Sequence, residues 1–157
     1  MAYEHTDVPI ARTQEGLRKL LQAHKGFGLA VISEQDPQGR ELSLEGFQAK
    51  VLIDGMPYVV KIMAKVKPAP KHSSDRQREL FRCQEERRIW RVLYYHIKSV
   101  FEASDSGVME FRELILPYIV TRDGRTIADC ILPELGKAIA GNAQRLLPKT
   151  AGGETNG

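Results

Sequence analysis

The chain has 157 residues, 42% of them hydrophobic and 27% charged, and 23 Lys and Arg against 20 Asp and Glu leave a formal net charge of +3. That is the composition of one globular domain with a real core; it excludes a strongly basic domain and gives only a mild leaning toward polyanions. No stretch approaches the ~20 consecutive apolar residues of a membrane span, and MAYEHTDVPIAR lacks the charged start and apolar middle of a signal peptide, so a soluble, cytoplasmic protein with no membrane partner is expected. Cys83 and Cys130 lie far apart and form no CxxC, which predicts free thiols.

Thr13 is placed to cap a helix running to about His24, because Leu17, Leu20, Leu21 and His24 fall at i, i+3, i+4 and i+7; Gly26 then ends it. Short apolar runs follow. They are separated by Asp36-Pro37-Gln38-Gly39, with the residues of a type I turn, and by Asp54-Gly55, a two-residue hairpin loop. A three-stranded antiparallel meander is predicted over residues 27–33, 41–53 and 56–66.

An Asp54-Gly55 loop pairs Val51 with Tyr58, Ala49 with Val60 and Phe47 with Ile62, setting all six on the core face. Beyond Phe47 the alternation slips by one residue. A β-bulge at Glu45-Gly46 would restore it, matching Leu44 with Ala64 and Leu42 with Val66. The opposite face carries Gln48, Lys50, Lys61 and Lys65 beside Val59 and Met63. With Phe47 and Tyr58 turned inward, that face lacks the aromatics on which bases stack, and a solvated lysine face is the simpler reading.

Lys67 to Ser74 is a linker extended by Pro68 and Pro70, within a single α+β domain spanning residues 1–148, and Ser74 or Asp75 closes it as an N-cap. From Asp75 to Ala103 there is no glycine or proline, so one continuous helix is expected, arginine-rich in its first half and aromatic in its second. Trp90, Tyr94, Ile97 and Phe101 are expected to pack on Phe47, Val60 and Ile62. Asp105-Ser106-Gly107 breaks the helix. A short helix over 109–116, a short strand at Tyr118-Ile119-Val120 and a turn at Arg122-Asp123-Gly124-Arg125 follow. Thr126 and Asp129 form a capping box for a last helix that Pro133 kinks or restarts and that fades near Gly141. The tail, residues 149–157, has nothing apolar to anchor it and is expected to be disordered.

The series Arg76, Arg78, Arg82, Arg87, Arg88 and Arg91 suggests phosphate contact, since guanidinium forks bond phosphate oxygens in pairs and a helix sets them in rows. Glu79, Glu85 and Glu86 are interleaved, so salt bridging within the helix accounts for part of the pattern. This half is expected to project beyond the sheet. The candidate nucleic-acid-binding residues are therefore Arg76, Arg78, Arg82, Arg87 and Arg88, aided by Lys61 and Lys65. The second half is apolar nearly all round, which suits a core helix or a partner groove, so the alternative is a protein-interaction module such as an inhibitor or adaptor.

No metal spacing joins His5, His24, His72 and His96, and no phosphate-loop, dinucleotide or nucleophile-elbow motif occurs, so a non-enzymatic protein without cofactor or metal is expected. The residual set that an enzyme could gather is Glu110, His96 and Tyr95.

The run RRIWRVLYYHIKSVFEASDSGVMEFRELILPYIVTRDGRTI resembles a group of small, uncharacterised proteins of tailed phages and prophages. The likeness is carried by Arg88, Trp90, Arg91, Ile97, Lys98, Glu102, Gly107, Phe111, Gly124, Arg125 and Thr126, with a looser similarity in HTDVPIARTQEGLRKLL. It implies a phage source and two candidate roles, an accessory to viral DNA metabolism or a factor that binds and redirects a host protein. It implies no catalytic or ligand-binding residue.

Overall fold

Asp54 and Gly55 take φ angles of 52° and 78°, the two left-handed residues that a type I′ turn requires. They close β2 (Leu42–Ile53) and β3 (Met56–Lys65) into a hairpin in which Val51 faces Tyr58, Ala49 faces Val60 and Phe47 faces Ile62, as the turn chemistry predicts. β1 (Phe27–Gln35) pairs with β2, giving an antiparallel sheet in the order β1-β2-β3. The computed structural model describes residues 2–39 and 41–140. The expected fading of the last helix near Gly141 and the tail at 149–157 lie outside the described residues.

The bulge expected at Glu45-Gly46 is not there. β2 runs against β3 in unbroken register from Ile53 opposite Met56 to Leu44 opposite Lys65. Glu45 therefore keeps the parity of Phe47, Ala49 and Val51 and lies in the core, 5% exposed, while Leu44 turns to the other face. Strand alternation by itself calls for an apolar residue at that position. Trp90 removes the need for one, because its indole Nε1 donates a hydrogen bond to Glu45 Oε1 at 3.0 Å. The register shifts fall between β1 and β2 instead, one of them between Phe27 and Ala30, where Gly28 adopts a φ of 68°.

α1 (Ile10–Ala23) begins three residues before Thr13. Pro9 occupies the N-cap position without a side-chain cap, and Thr13 is buried inside the helix. A proline ring fixes φ and lacks an N–H, so this start depends on Pro9 and not on the expected threonine cap. Tyr58 also departs from expectation. It shares the parity of Val60 and Ile62 but remains 39% exposed, because the core closes over Val51 and Val60 and stops short of the hairpin tip.

α2 (Asp75–Asp105) is the unbroken rod expected from Asp75 to Ala103, continued to Asp105 for 31 residues in all. Ser74 Oγ accepts from the Gln77 N–H and Gln77 Oε1 accepts from the Ser74 N–H, so the helix opens on a reciprocal capping box. Ile89, Trp90, Leu93, Ile97 and Phe101 pack with Phe47, Ala49, Val60 and Ile62, with Leu17 and Leu21 of α1 completing the core and Tyr94 at its margin. Each large side chain buried there stabilises the fold by about 1.5–3 kcal/mol.

His24 ties the ends of α1 and α2 together. Its Nδ1 is 2.9 Å from the Leu20 carbonyl, its Nε2 is 2.7 Å from Asp105 Oδ2, and its ring stacks on Phe101. Burial pulls the His24 pKa down, but the Asp105 hydrogen bond and charge and the Leu20 carbonyl outweigh it, and the net shift is upward.

After α2, α3 (Phe111–Ile115) passes into a 3-10 turn, Leu116–Tyr118. Ile119 then bridges Val60 of β3, as the predicted short strand would, with the Val120 N–H donating to the Val59 carbonyl, while Val120 itself bridges Thr126. Thr126 and Asp129 form the expected capping box of α4 (Ile127–Ile139), which runs through Pro133 without restarting. The whole is an α+β fold of one three-stranded antiparallel sheet against a long helix and shorter ones.

Candidate functional site

The structure separates the side chains expected to hold phosphate. Arg88 is the most committed to the fold: its side chain is 16% exposed, and it donates to both Glu85 carboxylate oxygens, Nε at 2.9 Å and a terminal nitrogen at 2.5 Å. Glu85 also accepts the Lys67 backbone N–H at 3.2 Å, so this pair fastens the linker to α2. The Arg88 hydrogen bond holds the Glu85 pKa below the ordinary carboxylate value although burial acts in the opposite sense.

Three more candidates are matched to carboxylates. Arg82 lies 3.5 Å from Glu86, Lys61 3.5 Å from Glu34, and Arg78 3.9 Å from Glu41 while donating to the carbonyls of Ser73 and Lys71. Arg76, Arg87 and Lys65 have no ion-pair partner among the described residues. Arg76 and Arg87 are eleven residues apart, hence on one side of the helix and about 16 Å apart along it. Strand alternation puts Lys61 and Lys65 on the sheet face turned away from α2, so they share no surface with the arginines. Arg91 lies over the rings of Tyr94 and Tyr95, at 5.5 and 4.9 Å.

The residual enzyme set is not brought together. His96 meets the Tyr118 hydroxyl at 3.0 Å, Tyr95 accepts from Arg91 and stacks on Tyr3, and Glu110 is paired with Arg112.

The fold instead builds a cleft of about 790 Å³ between the open end of β1 and β2, the start of the linker and the first half of α2. Asp36, Glu41, Glu45, Asp75, Glu79 and Glu86 line it against Lys67, Arg78 and Arg82, so among the described residues its lining carries more carboxylates than cations. Arg78 and Arg82, chosen from sequence as phosphate ligands, belong to an acidic wall.

Glu45 stands out in that lining. It is 5% exposed, its Oε1 accepts from Trp90, and its Oε2 is buried without a hydrogen-bond partner among the described residues. Burial pushes its carboxyl pKa up; the Trp90 N–H opposes this, the Glu86 charge reinforces it and the Arg82 charge opposes it, with a net rise. A carboxyl whose folded pKa is raised supports folding below its ordinary value of 4.5, and that support is lost as the pH rises through the folded value. Glu45→Gln, which keeps an oxygen for Trp90 and cannot ionise, is therefore expected to gain stability relative to the parent as the pH rises through the folded value. Denaturant unfolding checks this, with the gap narrowing as the pH falls.

The sequence held one signal of this residue, the parity break at Glu45-Gly46. It was absorbed by the expected bulge, because no local pattern shows that the single tryptophan, 45 residues on, reaches the same point. Comparison with protein-family models, with curated proteins and with solved structures finds no match to this chain.

Proposed function

We propose that this chain is a soluble, cytoplasmic, non-enzymatic accessory protein of phage or prophage type that works by binding another protein. The observation that carries this reading is the disposition of its cations: Arg78, Arg82, Arg88 and Lys61 are matched to carboxylates of the same chain, and the cleft beside them is predominantly acidic. A surface of that kind repels a phosphate backbone and complements a basic protein segment. The phage attribution rests on the resemblance of the Arg88–Thr126 run. No described helix is long and apolar enough to cross a membrane.

The second reading, nucleic-acid contact, is favoured by Arg76 and Arg87, exposed and half-buried respectively and without ion-pair partners among the described residues. Two phosphate contacts would give a log–log salt slope of only about −2. Titration of a labelled oligonucleotide at low salt separates the readings. Absence of saturable binding is the expected result. Saturable binding that weakens with salt at a log–log slope near about −2 and is lost on charge reversal at Arg76 and Arg87 would overturn the protein-binding assignment.

A further inference from the structure

We propose that the cleft is a binding site for the guanidinium or ammonium group of an arginine or lysine side chain on a partner protein's basic segment, with the Glu45 carboxylate as its innermost acceptor. This rests on the protein-binding reading above and names the chemistry of what is bound.

Three observations carry it. An ionised carboxylate offers about four acceptor positions, and Glu45 uses its Oε1 for Trp90 while its Oε2 is left without a partner among the described residues. A buried acceptor in that state costs stability, and such groups persist where a ligand completes them. The lining is also acidic without gathering a chelate: among the described residues no three His, Cys, Asp or Glu side chains are placed to hold a metal ion. Finally, Leu42, Val66, Pro68 and Phe81 contribute apolar surface between the carboxylates. Apolar walls ending at a carboxylate suit a long side chain with an aliphatic stem and a cationic head. Guanidinium is the better fit of the two heads, because its planar fork can span both oxygens of a carboxylate.

Arg82 is the resident competitor. Its side chain is 56% exposed and lies 3.5 Å from Glu86, so it occupies the rim with the same chemistry as the incoming group. The cation-site assignment therefore gives Arg82 the opposite sign from a phosphate-binding assignment.

Trp90 is the chain's single tryptophan and touches Glu45, so its emission reports events at the site. The experiment titrates the full chain with an arginine hexapeptide, with the same peptide built from neutral citrulline, and with spermine. The arginine peptide is expected to give a saturable change in Trp90 emission, the citrulline peptide none, and spermine a weaker one. Glu45→Gln is expected to weaken peptide binding about tenfold, the loss of one charge-assisted hydrogen bond. Glu79→Gln, on an exposed side chain at the rim, leaves the core untouched and is expected to weaken it about threefold. No saturable response to the arginine peptide, an equal response to citrulline, or affinity unchanged in both variants would overturn the proposal. Spermine binding without peptide binding would overturn the partner class. If the peptide fails and the oligonucleotide also fails, only this site assignment falls; saturable, salt-dependent oligonucleotide binding that needs Arg76 and Arg87 removes the protein-binding reading itself.

Discussion

Replacing Gly46 with alanine is expected to destabilise the protein by about 4 kcal/mol or more, a large share of a domain's total stability. A Cβ on Gly46 would lie 1.9 Å from the Ile62 carbonyl oxygen and 2.8 Å from both the Ile62 carbonyl carbon and the Met63 Cα. All three atoms are backbone, so no side chain can rotate away. Relief requires β2 and β3 to part where Phe47 and Ile62 enter the core, and the ladder hydrogen bonds there are lost with the packing. Gly136→Ala in α4 is the matched control, since nothing lies within 4 Å of its Cβ position. That change is expected to be neutral or stabilising by up to about 1 kcal/mol. Denaturant midpoints for the two variants check the contrast, and equal midpoints would contradict the close strand approach.

Removing one member of the Glu85–Arg88 pair is expected to cost about 3–5 kcal/mol, because the surviving charge stays largely buried without its partner. Glu85 is 6% and Arg88 16% exposed, and Glu85→Ala also releases the Lys67 N–H that anchors the linker. The double change Glu85→Leu with Arg88→Met leaves no orphan charge and is expected to recover most of the loss. The pH dependence follows from the lowered Glu85 pKa. Its stabilisation is present above the ordinary carboxylate value of 4.5 and is lost as the pH falls through the folded value. Parent and Glu85→Ala unfolding free energies should thus converge in acid. Near-equal stability of parent and single variants at neutral pH would mean that the pair does not hold the linker.

The parts of the fold legible in the sequence are those fixed by local chemistry. Asp54-Gly55 dictates its turn and therefore the register of the core residues Phe47, Ala49, Val51, Val60 and Ile62, Ser74 caps α2, and the absence of glycine and proline carries α2 through Ala103. The errors arise where a distant residue decides. Glu45 sits at a core position because Trp90 comes to meet it, and α1 starts at Pro9, where Thr13, a good cap in isolation, is needed in the core. The candidate site was legible only in part. Arg78 and Arg82 do line a cleft, but Asp75, Glu79 and Glu86 of α2 stand beside them, and Asp36, Glu41 and Glu45, contributed by the sheet and its turn, add further carboxylates. Arg88 looked like its neighbours, and only the position of the linker shows that it is structural.

The most direct test of the account is the affinity of Arg82→Gln for the arginine hexapeptide, followed through Trp90 emission beside the parent chain. Removing the resident guanidinium from the rim is expected to tighten binding about threefold, the scale of one exposed ion pair. Weaker peptide binding, or a gain of salt-sensitive affinity for an oligonucleotide in the parent that this variant loses, would contradict the assignment of the cleft as a cation site.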